Sequence, residues 1–169
     1  MHWEEFVVYY FWPQGHFWYS ILMAGKFIIF ADGGARGNPG PAAIGFVIQD
    51  ASGRTLKEQG EAIGETTNNV AEYKAVIAAL KKLKALVGGK QAAKAAVEVF
   101  MDSELLAEQL NARYKIKDEK LALLFVEVWN LKQDFGEVSF RHIPRENNKA
   151  ADRMVNAALN RRDSTLFTE

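Results

Sequence analysis

From residue 26 onward, the pattern of hydrophobic and polar positions divides the chain into strands and helices. Short β-prone runs and the turn at 50–53 predict an antiparallel meander of three strands, at 27–32, 43–49 and 55–62. Apolar residues spaced three or four apart then predict a helix at 69–87, which Gly88-Gly89 ends. The later pattern predicts, in order, a strand at 96–101, helices at 103–111 and 120–133, a strand at 138–143 and a helix at 148–160. Hairpins followed by strands joined through helices indicate an α/β fold, a mixed sheet flanked by helices.

The first 22 residues have a different composition from the rest. They contain nine of the 20 aromatic residues and no Lys or Arg. Pro13 interrupts the apolar run before the ~18 residues that a membrane helix needs, and no positive leader marks a secretory signal. The segment is either an artefact of a start site placed too early, with Met23 as the natural beginning, or an aromatic strand pair that docks on the domain. We favour the first explanation, and divide the chain into an extension at 1–22, a domain at 23–162 and a tail at 163–169.

Charge and cysteine content exclude several classes of function. The 169 residues suit one domain and carry 21 basic and 21 acidic side chains, so any nucleic-acid contact depends on local clusters. The absence of cysteine excludes disulfides, thiolate catalysis and iron–sulfur clusters, and it is typical of the cytoplasm. We therefore expect a cytoplasmic protein that does not enter membranes, and we expect it to be a monomer.

Four carboxylates lie at the ends of predicted elements: Asp32, Glu72, Asp102 and Asp152. Each has a structural alternative, namely a turn residue, a capping-box partner of Asn69, a helix cap and a surface pair with Lys149. Strand ends and the helix starts beside them meet at one edge of an open sheet, so we expect the four to converge. Such a cluster requires cations, and oxygen ligands suit Mg²⁺ or Mn²⁺. Two ions of this kind indicate phosphodiester cleavage.

The glycine-rich stretch at 33–41 is not a nucleotide-binding phosphate loop. It lacks Gly-Lys-Ser/Thr, and a strand rather than a helix follows it. Two interpretations remain: a tight turn that brings Asn38 close to a ligand, or a simple hairpin connection.

Four motifs together resemble those of type 1 ribonuclease H in order and spacing: residues 30–41, 66–72, 101–103 and 144–152. The resemblance covers about residues 24–160. It implies a five-stranded mixed sheet of order 3-2-1-4-5 and a catalytic domain at 23–162. It also implies endonucleolytic hydrolysis of the RNA strand of RNA–DNA hybrids with two Mg²⁺ or Mn²⁺ ions, giving 5′-phosphate and 3′-hydroxyl ends. Asp32, Glu72, Asp102 and Asp152 fall on the family's four metal-binding positions.

The resemblance also implies residues that bind the substrate. Asn38, Asn68 and Asn69 match positions that line the minor groove of the hybrid, where short amides recognise the 2′-hydroxyl. Helix capping is the structural alternative for Asn68 and Asn69. Thr67 matches a position that contacts a phosphate of the DNA strand. Glu65 stands where related enzymes often carry Arg, so we expect a weaker phosphate pocket.

Two further departures from the family pattern concern substrate handling and catalysis. The basic, Trp-containing insertion of many bacterial members is absent, since only residues 112–119 connect the helices predicted at 103–111 and 120–133. Residues 141–162 carry a net charge of +4. This segment either partly replaces the insertion in binding the substrate or is an ordinary solvated surface. His142 has the family spacing to Asp152 for a mobile catalytic histidine. The alternation at 138–143 instead favours a strand position for His142, with Arg145 as the residue that assists catalysis.

The rival functions are a non-catalytic binding module and a nuclease or recombinase that acts on DNA.

Overall fold

A computed structural model describes residues 25–166, so the extension at 1–22 lies outside the described residues, as do residues 167–169. Five strands are formed: β1 (Lys26–Ala35), β2 (Gly40–Asp50), β3 (Thr55–Thr66), β4 (Ala96–Met101) and β5 (Glu137–His142). Five helices accompany them: α1 (Asn68–Val87), α2 (Gly89–Ala92), α3 (Glu104–Leu110), α4 (Glu119–Lys132) and α5 (Lys149–Leu166). A 3₁₀ turn at Arg145–Asn147 precedes α5.

The strands form one mixed sheet of order β3-β2-β1-β4-β5. The β1–β2 and β2–β3 pairs are antiparallel, whereas β1–β4 and β4–β5 are parallel. This architecture confirms the expected α/β fold and the strand order that the family resemblance implies.

Helices cover both faces of the sheet. On one face, α1 packs over β1 and β2, and the core on this side of the sheet includes the buried Ile29, Phe46, Leu80 and Val99. Since successive residues of a strand point to opposite faces, Ala43 faces away from this core and packs with Val155, Ala158 and Leu159 of α5. No helix within residues 25–166 combines the length and the apolar character that crossing a membrane requires.

Several element boundaries differ from the sequence-based expectation. β1 continues to Ala35 and β2 begins at Gly40, because the backbone of the glycine-rich stretch pairs across the hairpin. α1 ends at Val87 as expected, with Gly88 at a φ of 82°, but a four-residue helix, α2, follows directly. α5 extends to Leu166, six residues beyond the expected end at 160.

Candidate active site

Gly33 brings the first two carboxylates together. A Cβ atom at Gly33 would lie 2.2 Å from the carbonyl carbon of Ala71 and 2.4 Å from the backbone nitrogen of Glu72. Only glycine allows this approach of α1 to β1, because any side chain would overlap the helix backbone. Asp32 and Glu72 are the direct neighbours of this contact point, and both are half-buried.

Two further glycines bring α5 onto the sheet. A Cβ atom on Gly45 would lie 2.5 Å from the carbonyl oxygen of Ala151, and one on Gly60 would lie 2.2 Å from that of Met154. The first turns of α5 therefore rest almost directly on the backbone of β2 and β3. This close packing places Asp152 beside the end of β1.

The four carboxylates share one electrostatic environment. The pKa of Asp32 is raised to about 6, most of all by burial and in addition by the negative charges of Asp102 and Asp152. The pKa of Glu72 is raised to about 7: burial is the largest cause, and a hydrogen bond from Ser103 opposes the rise. Asp32 and Asp102 add to the rise at Glu72. The structure thus brings the four acidic residues of the sequence analysis to one region, at the expected edge of the sheet.

Asp152 is held by two side chains near α5. Its Oδ1 atom lies 2.8 Å from Nη2 of Arg145, and its Oδ2 atom accepts a hydrogen bond of 2.9 Å from Nδ2 of Asn156. Lys149, the surface partner that the sequence suggests, is therefore not the residue that binds Asp152. Asp152 in turn raises the pKa of Arg145, through both the hydrogen bond and its charge.

The donor chemistry fits a hard divalent cation, since the site offers carboxylate oxygens and neither sulfur nor imidazole. However, no three Asp, Glu or His side chains among the described residues lie close enough together to form a ready-made metal site. The expected cluster is therefore a shared region rather than a closed coordination shell. Like charges repel one another at short range, and the guanidinium group of Arg145, which forms an ion pair with Asp152, brings an opposite charge to this region.

The N-terminal caps of α1 and α3 are formed by residues other than the four acidic residues and the asparagines. Ser103, not Asp102, caps α3, because its Oγ atom accepts a hydrogen bond from the backbone of Leu106. Thr67, not Asn68 or Asn69, caps α1, because its Oγ1 atom accepts a hydrogen bond from the backbone of Val70. The capping explanations for Asp102, Asn68 and Asn69 are therefore wrong, as is the pairing of Glu72 with an Asn69 cap.

Two asparagines beside the site have their amide oxygens fixed by backbone groups. Oδ1 of Asn68 accepts a hydrogen bond of 2.7 Å from the N–H of Ala35, and Oδ1 of Asn38 accepts one of 3.1 Å from the N–H of Asn68. The NH₂ groups of both side chains have no hydrogen-bond partner within the described residues. The glycine-rich segment connects the antiparallel β1 and β2 as a hairpin, and the hydrogen bond from Asn68 fixes Asn38 within it. Both amides present NH₂ donors.

Two cavities extend from these residues. The first, of about 330 Å³, is lined by Asp32, Asp152, Asn68 and Arg145, and it continues along α5 to Asn156. The second, of about 660 Å³, lies between the N-termini of α1 and α4; its polar side chains are those of Asn38, Glu65, Thr66, Thr67, Asn69, Asp118, Glu119 and Lys120. The acidic residues at the start of α4 were not foreseen from the sequence, and together with Glu65 they make the second cavity less suited to a phosphate.

His142 is the last residue of β5 and pairs with Met101 of β4. This position confirms that His142 lies in a strand rather than in a mobile loop. Arg145 lies in the 3₁₀ turn and reaches Asp152. Of the two candidates, Arg145 is thus the residue that contacts an acidic side chain of the site.

Comparisons with known proteins place this chain in a family. The family described as Reverse transcriptase-like matches residues 30–158, so the chain belongs to it. Within that family the chain is a member of the type 1 ribonucleases H, as its relatives and its structural neighbours indicate.

Three similar proteins illustrate the relationship. The bifunctional protein Rv2228c of Mycobacterium tuberculosis is 44% identical over 135 residues, which are 79% of this chain and 35% of that protein. Ribonuclease HI of Halobacterium salinarum is 38% identical over 135 residues, 80% of this chain and 65% of that protein. LC11-RNase H1, solved in complex with an RNA/DNA hybrid, is 49% identical with a TM-score of 0.77 and covers 80% of this chain and 98% of its own. This chain spans about a third of the mycobacterial protein and about two thirds of the halobacterial one.

Proposed function

We propose that this protein is an endonuclease that hydrolyses the RNA strand of RNA–DNA hybrids with the help of two Mg²⁺ or Mn²⁺ ions. The observation that carries the proposal is that four carboxylates, from β1, α1, α5 and the end of β4, lie in one region and act on each other's charge, beside two amides that present donors. The solved complex of LC11-RNase H1 with an RNA/DNA hybrid supports the choice of substrate, because that protein is 49% identical to this chain.

Asp32, Glu72, Asp102 and Asp152 would hold the ions. When bound, such ions supply Lewis acidity, which favours ionisation of water and offsets negative charge on a phosphate. Asp32 is the carboxylate whose charge is linked to all three others, because Asp102 and Asp152 act on its pKa and Asp32 acts on that of Glu72, and it would therefore take part in holding the ions. Arg145 supplies a positive charge at the same edge and orients Asp152 through the 2.8 Å ion pair.

Recognition of RNA follows from the fixed amides. The 2′-hydroxyl accepts as well as donates hydrogen bonds, and the wide minor groove of a hybrid exposes it. Asn38 and Asn68 present NH₂ donors whose direction is set by the backbone contacts of their oxygens. Asn69 and Thr67, which line the second cavity, would contact the groove and a DNA-strand phosphate respectively. Because Glu65 lies in that cavity, we expect the phosphate contact to be weak.

A cleavage assay with labelled substrates tests the proposal. The wild-type protein should cleave an RNA–DNA hybrid in Mg²⁺ or Mn²⁺, lose this activity with a chelator, and leave RNA ends with 5′-phosphate and 3′-hydroxyl groups. Asp102→Asn should abolish cleavage and leave the circular dichroism spectrum unchanged. Equal cleavage of hybrid and duplex DNA would favour the DNA nuclease instead, and hybrid binding without cleavage would favour the non-catalytic module.

The monomeric state and the cytoplasmic location remain predictions from the sequence. Sedimentation of the full chain measures the former. The mass of the natively expressed protein tests whether residues 1–22 are made.

A further inference from the structure

We infer that Asn148 is a positioning residue of the site, and that it fixes the orientation of Asp102 so that one carboxylate oxygen is left for a divalent cation. The inference rests on the proposed function for its metal and assigns a role to a side chain outside the four acidic residues. Asn148 is fully buried, and it lies between the 3₁₀ turn and α5.

Asn148 connects three parts of the site. Its Nδ2 atom donates a hydrogen bond of 3.0 Å to the carbonyl oxygen of Ala31, the residue before Asp32, and another of 3.0 Å to Oδ1 of Asp102. Its backbone carbonyl accepts a hydrogen bond of 3.1 Å from the N–H of Asp152. One residue therefore links the backbone beside Asp32, the carboxylate of Asp102 and the first turn of α5.

The two donated bonds determine which way the amide points. If the amide were reversed, its oxygen would face the carbonyl of Ala31 and the carboxylate of Asp102, both of which are acceptors. Nδ2 therefore stays between them, and Oδ1 of Asp102 stays engaged as its acceptor. Groups that orient a metal-binding side chain in this way affect metal affinity without touching the ion.

A purely structural role accounts poorly for this residue. Oδ1 of Asn148 is buried and has no hydrogen-bond partner among the described residues, which is costly for a fold. Gln109, the other buried polar residue within residues 25–166, differs in this respect. Its Oε1 atom accepts from the hydroxyl of Tyr73 and its Nε2 atom donates to the carbonyl of Lys115. Neither bond involves any of the four acidic residues, so Gln109 is a matched structural control.

The test compares Asn148→Ala with Gln109→Ala in the full chain. Mn²⁺ binding is measured by calorimetry without substrate, at a temperature at which thermal unfolding shows each variant to be folded. Asn148→Ala should weaken Mn²⁺ binding by about 10-fold or more, whereas Gln109→Ala should lower the melting temperature and leave Mn²⁺ binding unchanged. Asn148→Leu keeps most of the volume and removes both donors, so it carries the same test if the alanine variant does not fold.

A double-mutant cycle shows whether the effect acts through Asp102. In the Asp102→Asn background, Asn148→Ala should cause little further loss of Mn²⁺ affinity. Mn²⁺ affinity within twofold of wild type in the Asn148 variants, or equal losses in both backgrounds, would overturn the inference. Cleavage of the hybrid is measured separately, so a protein whose Mn²⁺ binding depends on Asn148 but which does not cleave would refute the proposed function alone.

Discussion

Replacement of Asp32 by asparagine should stabilise the metal-free protein above neutral pH. A carboxyl whose pKa rises on folding destabilises the fold when it is ionised, because burial and nearby negative charges disfavour the charged form. The rise from an ordinary 3.8 to about 6 corresponds to at most about 3 kcal/mol. The cost is absent below about pH 4, grows as the pH rises to 6 and is complete above it. Asp32→Asn should therefore raise the free energy of unfolding at pH 8 and leave it almost unchanged at pH 4.

Urea unfolding of both proteins at pH 4 and pH 8, with a chelator present, measures this difference. Asp50→Asn is the control of opposite sign. Hydrogen bonds from Ser52 and Arg54 lower the pKa of Asp50, so its replacement should destabilise the protein at pH 8. Added Mg²⁺ should reduce the advantage of Asp32→Asn, because a cation favours the carboxylate. If Asp32→Asn destabilises the metal-free protein at pH 8, or stabilises it equally at pH 4, the described crowding of charge is wrong.

Three other predictions follow from the site. Gly33→Ala should lower the free energy of unfolding by about 3 kcal/mol or more, because its Cβ would overlap the backbone of α1. Gly89 has open space around it, so Gly89→Ala should be nearly neutral in the same urea unfolding experiment. Equal effects of the two substitutions would contradict the packing argument. In single-turnover kinetics, His142→Ala should leave the cleavage rate close to wild type, and Arg145→Ala should lower it about 10²-fold. A larger loss of rate in the His142 variant than in the Arg145 variant would show that the strand histidine is catalytic. Because the pKa of Glu72 is raised to about 7, protons should compete with Mn²⁺ as the pH falls from 8 to 5; calorimetric affinity that is independent of pH would refute this.

Much of the fold could be predicted from the sequence, because alternating and helical hydrophobic patterns are strong along most of the chain. The hydrophobic pattern does not predict strands where glycine residues occupy strand positions, because glycine has no side chain to contribute to the alternation. Residues 33–35 and 40–42 belong to paired strands, yet their composition is that of a turn. The short helix α2 was missed because it follows Gly88-Gly89, the signal that ends α1.

The residues of the candidate site could be selected from the sequence, but the packing contacts that bring them close together could not. The four carboxylates could be selected because they end predicted elements and match family positions. Their approach depends on Gly33, Gly45 and Gly60, whose neighbours lie far away in the sequence and are known only once the chain is folded. Asn148 lies within the motif at 144–152, but its role could not be read from the sequence, because an asparagine at the start of a helix is most simply interpreted as a cap.

The hydrogen bonds that fix the two amides also join them in series to the end of β1. Asn38 is attached to the backbone of Asn68, and the side chain of Asn68 is attached to the backbone of Ala35, three residues after Asp32. A shift of either amide would therefore change a hydrogen bond that leads to the strand carrying Asp32. Under the proposed function, the groups that would recognise the sugar and the strand that would hold a metal ligand belong to one hydrogen-bonded chain, so a hybrid that displaced the amides would also disturb that strand.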